Sequence, residues 1–249
     1  MSFTSIWPVS EGSLVAVAGG GGKTGLIALL EAELRAEGLA AVATVTTRLG
    51  RDQLPGLELI EAESFEEALE AARRAARGQR MVLAGPPPRE GERRPGLSGV
   101  DPEWLPGLRQ AGGPGLVWLV EVDGSAGRPL KAHRKDEPVL PPGPFSLVMV
   151  LGASALVKPW SEAVHRPEIF SRHLPLPQDD RPLSPGEIAL FVQKAWGPLA
   201  PDLVFINQLD ALAEGAELEK ARRLGSLLAA QGLRVIGGSL RSRVFEAML

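Results

Sequence analysis

Short apolar runs alternate with stretches of helical spacing along almost the whole chain. The runs fall at residues 14–18, 40–45, 81–84, 116–122, 147–151, 203–206 and 233–236. They are strongly apolar without alternation, which predicts strands of a parallel sheet covered on both faces. Helices are predicted between them. Leu26, Leu30 and Leu34 recur at helical spacing after the first run. Ser64 with Glu67, and Ser184 with Glu187, have capping-box spacing, and Pro185 stands at the favoured first helical position. Gly38 and Gly232 stand where helices should end before the next strand. The alternation predicts an α/β fold, doubly wound, with a mainly parallel sheet and helices on both faces. Residues 1–249 read as one domain. Two stretches interrupt the pattern, near 85–100 and 124–144; both are rich in proline, glycine and basic residues and predict long loops.

Composition narrows the classes. The net charge of −3 recommends neither nucleic acid nor an anionic membrane as a partner. With no cysteine, disulfides, thiolate metal sites and a cysteine nucleophile are excluded. No run approaches the roughly 20 apolar residues of a membrane span. The expectation is a soluble, cytoplasmic protein; the sequence does not reveal its oligomeric state.

The most informative segment is Gly19-Gly20-Gly21-Gly22-Lys23-Thr24-Gly25, between the first strand and the first long helix. A strand, a glycine loop and a helix in that order form a phosphate cradle. Loop amides and the positive helix end face the anion, Lys23 reaches the terminal phosphates, and the Thr24 hydroxyl can ligate Mg²⁺. The usual spacing, GxxxxGK[ST], would place its first glycine at Val17, so the segment departs from the pattern there.

A second group lies at the end of the run 116–122, where Glu121-Val122-Asp123-Gly124 brings carboxylates to the sheet edge that binds ligands in open α/β folds. Asp123 is a candidate Mg²⁺ ligand with Thr24; a carboxylate capping the turn before Gly124 is the plainer reading. Thr46-Thr47-Arg48 ends the second strand, where a hydroxyl could position water, metal or γ-phosphate, or simply suit a strand end. Glu121 and Thr47 are the candidates for orienting an attacking water. Arg128 and Lys131, in the basic stretch after Gly124, are candidate contacts to phosphates or to an anionic partner, or members of a solvated loop. Arg166, before another helix, reads as a nucleotide or partner contact or as a salt bridge with Glu162 or Glu168.

Asn207-Gln208-Leu209-Asp210 follows a late strand. It resembles the NKxD segment of GTPases, whose aspartate pairs with guanine, with Gln208 in place of the lysine. An Asx turn gives the same residues. Asn207 and Asp210 therefore favour GTP, and ATP stays open.

Taken together, these segments resemble the selenium-dependent hydroxylase accessory proteins of the YqeC type. The resemblance rests on Gly19–Thr24, Thr46-Thr47, Glu121-Val122-Asp123-Gly124, Pro129-Leu130-Lys131, Glu137-Pro138-Val139 and His165-Arg166-Pro167-Glu168. It implies a P-loop nucleotide-binding protein linked to maturation of molybdenum-containing hydroxylases. Glu121-x-x-Gly124 also looks like the ExxG segment of GTPases that insert nickel or handle cobalt, but His133, His165 and His173 make a poor relay for such a metal. The expected activity is slow, Mg²⁺-dependent hydrolysis of ATP or GTP that toggles the loops after the second and fourth strands. A small-molecule kinase or ligase, and a nucleotide-binding regulator that does not hydrolyse, are the alternatives.

Overall fold

The structure, a computed structural model, describes residues 1–50, 56–86 and 96–248. Among these, nine strands form one sheet: β1 (Leu14–Gly19), β2 (Ala41–Val45), β3 (Glu58–Glu61), β4 (Met81–Ala84), β5 (Val117–Glu121), β6 (Ser146–Gly152), β7 (Leu203–Asn207), β8 (Val235–Ser239) and β9 (Val244–Met248). Their spatial order is β9-β8-β7-β6-β1-β5-β2-β4-β3. Every pairing is parallel except that of β8 with β9.

The apolar runs are explained by two cores, one on each face. Leu14, Ala16 and Ala18 of β1 pack into one, and Val15 and Val17 into the other. Helices α1 (Phe3–Ile6) and α2 (Lys23–Ala36) cover the second face. The first is covered by α3 (Phe65–Ala76), α4 (Trp104–Gly112), α6 (Pro167–His173), α7 (Pro185–Trp196) and α8 (Ala216–Ala229), with the one-turn α5 (Trp160–Ala163) near the site. The fold is α/β and doubly wound, as the alternation of patterns predicts.

Local chemistry accounts for the boundaries. Ser184 accepts from the Glu187 amide while Glu187 accepts from the Ser184 amide, a complete capping box with Pro185 in the first turn. Ser64 caps α3, but Glu67 reaches back to the Glu63 amide instead. Gly38 and Gly232 both have φ of +83°, which lets the chain turn out of α2 and α8.

Two strands carry no apolar run. The outer strand β3 is bounded by glutamates and only half-buried, and β9, the antiparallel edge, buries only Phe245 and Met248. Of the two expected loops, the first falls largely on residues 87–95, outside the described residues. The second is tied down. Leu130–Lys131 forms a two-residue ladder with Val164–His165, the Val139 amide donates to the Val122 carbonyl, and Leu140 packs on the core.

Because β1 lies between β5 and β6, the C-terminal ends of these three strands meet at the glycine segment.

Candidate functional site

β1 runs through Gly19, and α2 begins at Lys23, so the chain turns within Gly20–Gly22. The departure at Val17 follows from this. Val17 is still a fully buried strand residue, paired with Glu121 on one side and Val148 on the other. The turn itself demands glycine. Gly19, Gly21 and Gly22 have φ of +104°, +76° and +128°. A Cβ at Gly21 would lie 2.5 Å from the Gly152 Cα, and one at Gly20 would collide with the Arg128 carbonyl.

The loop's first amides are already engaged. Gly19 N–H donates to Asp123 Oδ2 (2.9 Å), Gly20 N–H to the Val150 carbonyl (2.9 Å) and Gly21 N–H to the Arg128 carbonyl (3.1 Å). The expectation that all the amides from Gly19 to Thr24 face phosphate therefore narrows to the start of α2. No side chain caps that end, where the first turn carries N–H groups without intrahelical partners.

Lys23 is buried at this helix start. Its Nζ donates to the Gly19 carbonyl (2.8 Å) and to Ser125 Oγ (3.4 Å), and stands 3.2 Å from Asp123 Oδ1 and 3.7 Å from Glu121 Oε1. Thr24 Oγ1 donates to Glu121 Oε2 (2.7 Å). The structure thus sets Glu121, rather than Asp123, against the threonine hydroxyl. The two carboxylates are driven apart electrostatically. Burial pushes the Glu121 carboxyl up, and the opposing pull of Lys23 and the Thr24 hydrogen bond does not cancel it. Burial also works against ionised Asp123, but Lys23, the His133 hydrogen bond and Lys131 overcome it and hold the carboxyl well below the usual range.

Asp123 opens a chain of buried charges. His133 Nε2–H donates to its Oδ2 (2.6 Å), with the imidazole packed against Trp196. Lys131 Nζ lies 3.4 Å from the same oxygen and 3.1 Å from Glu137 Oε2, and its side chain is wholly buried. Glu137 accepts both arms of the Arg166 guanidinium, one at 2.8 Å. Burial opposes ionised Glu137, yet Arg166 and Lys131 bring its pKa down to about 2. Burial lowers the pKa of Lys131 and outweighs its two acidic neighbours. Arg166 therefore pairs with Glu137, not with Glu162 or Glu168, and Lys131 is no solvated loop residue.

The other expected residues make contacts of different kinds. Arg128 donates to the Ser161 carbonyl. Thr46 Oγ1 donates to the Val139 carbonyl (2.7 Å), and Thr47 lines a separate cavity. Asn207 is a clamp. Its Nδ2 donates to the Gly21 carbonyl (2.7 Å), and its Oδ1 accepts from the Leu240 amide (3.0 Å). Gln208, at φ +70°, accepts from Ser154 Oγ (2.8 Å), and Asp210 is exposed on the next turn. His165 and His173 are not brought together; His173 meets Phe191 edge-on. Among the described residues, no three His, Asp or Glu side chains are grouped to hold a metal ion. No helix there is long and apolar enough to cross a membrane.

Sequence reasoning missed the roles of Ser125, His133, Glu137 and Leu240. Three of these lie in the run 121–141 that carries the family resemblance, which was the available signal. Nothing local marks Leu240, whose Cδ1 would be 3.1 Å from a Cβ at Gly25.

No curated protein matches the chain in sequence. One similar solved structure is the signal recognition particle 54 kDa protein from Aeropyrum pernix K1 in complex with GDP, with 16% identity and a TM-score of 0.41. The alignment covers 98% of this chain and 45% of that one, so this chain spans less than half of that protein's length. The model of the YqeC protein family matches residues 15–168, more than half of the 249 residues, and the chain belongs to that family.

Proposed function

We propose that the chain is a single nucleotide-binding domain that hydrolyses ATP or GTP slowly with Mg²⁺. In this reading it acts in the cytoplasm as an accessory factor in maturation of a molybdenum-containing hydroxylase. The observation that carries nucleotide binding is the glycine turn with Lys23 at its end. Four consecutive residues have no room for a side chain, and the lysine they deliver is buried between two carboxylates at an uncapped helix start.

The donor set fits a hard cation. Thr24, Glu121 and Asp123 offer oxygens, and Asp123 Oδ1 is buried without a hydrogen-bond partner. These residues would hold Mg²⁺ together with phosphate oxygens; the ion, when bound, offsets charge on the phosphates. Lys23 and the first N–H groups of α2 bind the β- and γ-phosphates once the lysine exchanges its carboxylate partners for the anion. Asn207 keeps the turn in place, and exposed Asp210 is the group offered to guanine. The client is supported by the family resemblance alone.

Titration calorimetry with non-hydrolysable ATP and GTP analogues, with and without Mg²⁺, tests the reading. Mg²⁺-dependent binding of one analogue that disappears in Lys23→Ala is expected; binding of neither at sub-millimolar concentration sinks it. Asp210→Ala should weaken the GTP analogue selectively. A small-molecule kinase or ligase is favoured instead by the cavity that opens beside Gly124, and a phosphorylated product from a metabolite screen would select it.

A further inference from the structure

At the C-terminal ends of β2 and β5 is a cavity of about 430 Å³, walled by Thr46, Thr47, Gly124, Glu137, His165 and Arg166. That volume falls within the size of small-molecule sites. We propose that it is a second ligand site, for a small molecule bearing an oxyanion, phosphate or carboxylate, held by Arg166.

Three features of the wall support an anion. Arg166 has φ +66° and ψ +66°, a left-handed conformation unfavourable for a non-glycine residue. Such strain persists where the surroundings fix it, and here it sets the guanidinium at the cavity. Two of the five guanidinium donors go to Glu137, which leaves a fork suited to bidentate contact with an oxyanion. Charge is the second feature. Glu137 alone lies between Lys131 and Arg166, while Asp123, the other acid beside Lys131, is shared with Lys23 and His133. Arg48 and exposed Asp136 also line the cavity, one charge of each sign. The third is His165. Burial, with Arg166 and Lys131 nearby, lowers its pKa to about 4, so at neutral pH the ring offers hydrogen bonds without charge.

The site is linked to the cradle by a continuous series of contacts: Glu137 to Lys131 at 3.1 Å, Lys131 to Asp123 at 3.4 Å, and Asp123 to Lys23 at 3.2 Å. An anion that draws Arg166 away leaves Glu137 to Lys131 and weakens the hold of Lys131 on Asp123. The location beside the cradle rests on the nucleotide reading; the anion site does not.

The test is titration calorimetry of inorganic phosphate and, separately, citrate into the full wild-type chain and into the chain carrying Lys23→Ala, which removes the cradle lysine. One probe should bind with a stoichiometry of one, and which probe it is separates phosphate from carboxylate. Arg166→Gln should weaken it by about tenfold or more, the loss of a bidentate charged contact. Gly124→Leu gives a second route. Gly124 lines the cavity and a Cβ there meets no atom within 4 Å, so a leucine adds bulk at the wall without a clash and leaves every charge in place. It should also abolish binding, and it serves if Arg166→Gln fails to fold. Binding of neither probe, or binding unchanged by the substitutions that fold, overturns the proposal. If nucleotide analogues fail to bind wild-type protein while the Arg166-dependent anion still binds Lys23→Ala, the cradle reading falls and this site stands. The opposite result removes only this site.

Discussion

The glycine turn and the charge chain that meets it at Lys23 are held by opposite means. The turn is fixed mainly by backbone packing, with Asn207 and Asp123 bonding to it. Its side chains are absent because Val150, Arg128, Gly152 and Asn207 occupy the space around it, and its amides bond to fixed acceptors. The chain Asp123–Lys131–Glu137–Arg166 is fixed by side chains, with Asp123 and Lys131 fully buried and Glu137 and Arg166 partly so, and it holds only while its neighbours remain. A backbone-built site tolerates no added atom. A charge-built site tolerates added atoms but not a missing partner.

That contrast is broken most directly at Gly21. Gly21→Ala adds one methyl group against Gly152 at a positive φ, and should cost more than about 3 kcal/mol of stability or prevent folding. A urea midpoint close to wild type would show that the turn can relax and that the comparison is misplaced. Next in size is Lys131→Met, which keeps the buried stem and removes the charge. It should destabilise by about 3 kcal/mol, because Asp123 and Glu137 lose a shared cation. Glu137→Gln added to it should recover part of that loss; strict additivity in denaturation would mean the chain is not a coupled unit.

The smallest effect is in pH. The pKa of His165 is lowered to about 4 in the fold from its ordinary 6.5, so the unfolded chain binds the proton more readily. Its contribution is complete above about pH 6.5 and is lost as pH falls towards 4, about 1 kcal/mol after allowance for solvent screening. His165→Asn should flatten the stability profile in that window when unfolding midpoints are followed against pH. An unchanged slope would place the loss elsewhere.

The parallel sheet and the cradle were legible because both are written in contiguous residues. Apolar runs give strands buried on two faces, and Gly19–Thr24 carries strand end, turn and helix start together. β3 and β9 were not legible, since edge strands need only one buried face and here carry Glu58, Glu61 and Glu246. The chain of charges escaped for a different reason. Lys131 and Arg134 look alike in a basic stretch, yet one is fully buried and the other exposed, and only the ladder of Leu130–Lys131 with Val164–His165 decides which. Likewise Arg166 has acids near it in sequence at Glu162 and Glu168, but the fold supplies Glu137.

The clamp of Asn207 on Gly21 also has a consequence for biosynthesis. The two residues are 186 positions apart, and the same clamp is completed by Leu240, in the turn before the last strand. At about 5–20 residues per second of synthesis, the glycine turn waits on the order of ten seconds or more for its partners. A nascent chain that already displays Gly19–Thr24 thus has the motif without the clamp until the hairpin of β8 and β9 has emerged. The turn is thus fixed by contacts of long sequence separation, and its geometry belongs to the assembled sheet and not to the local segment.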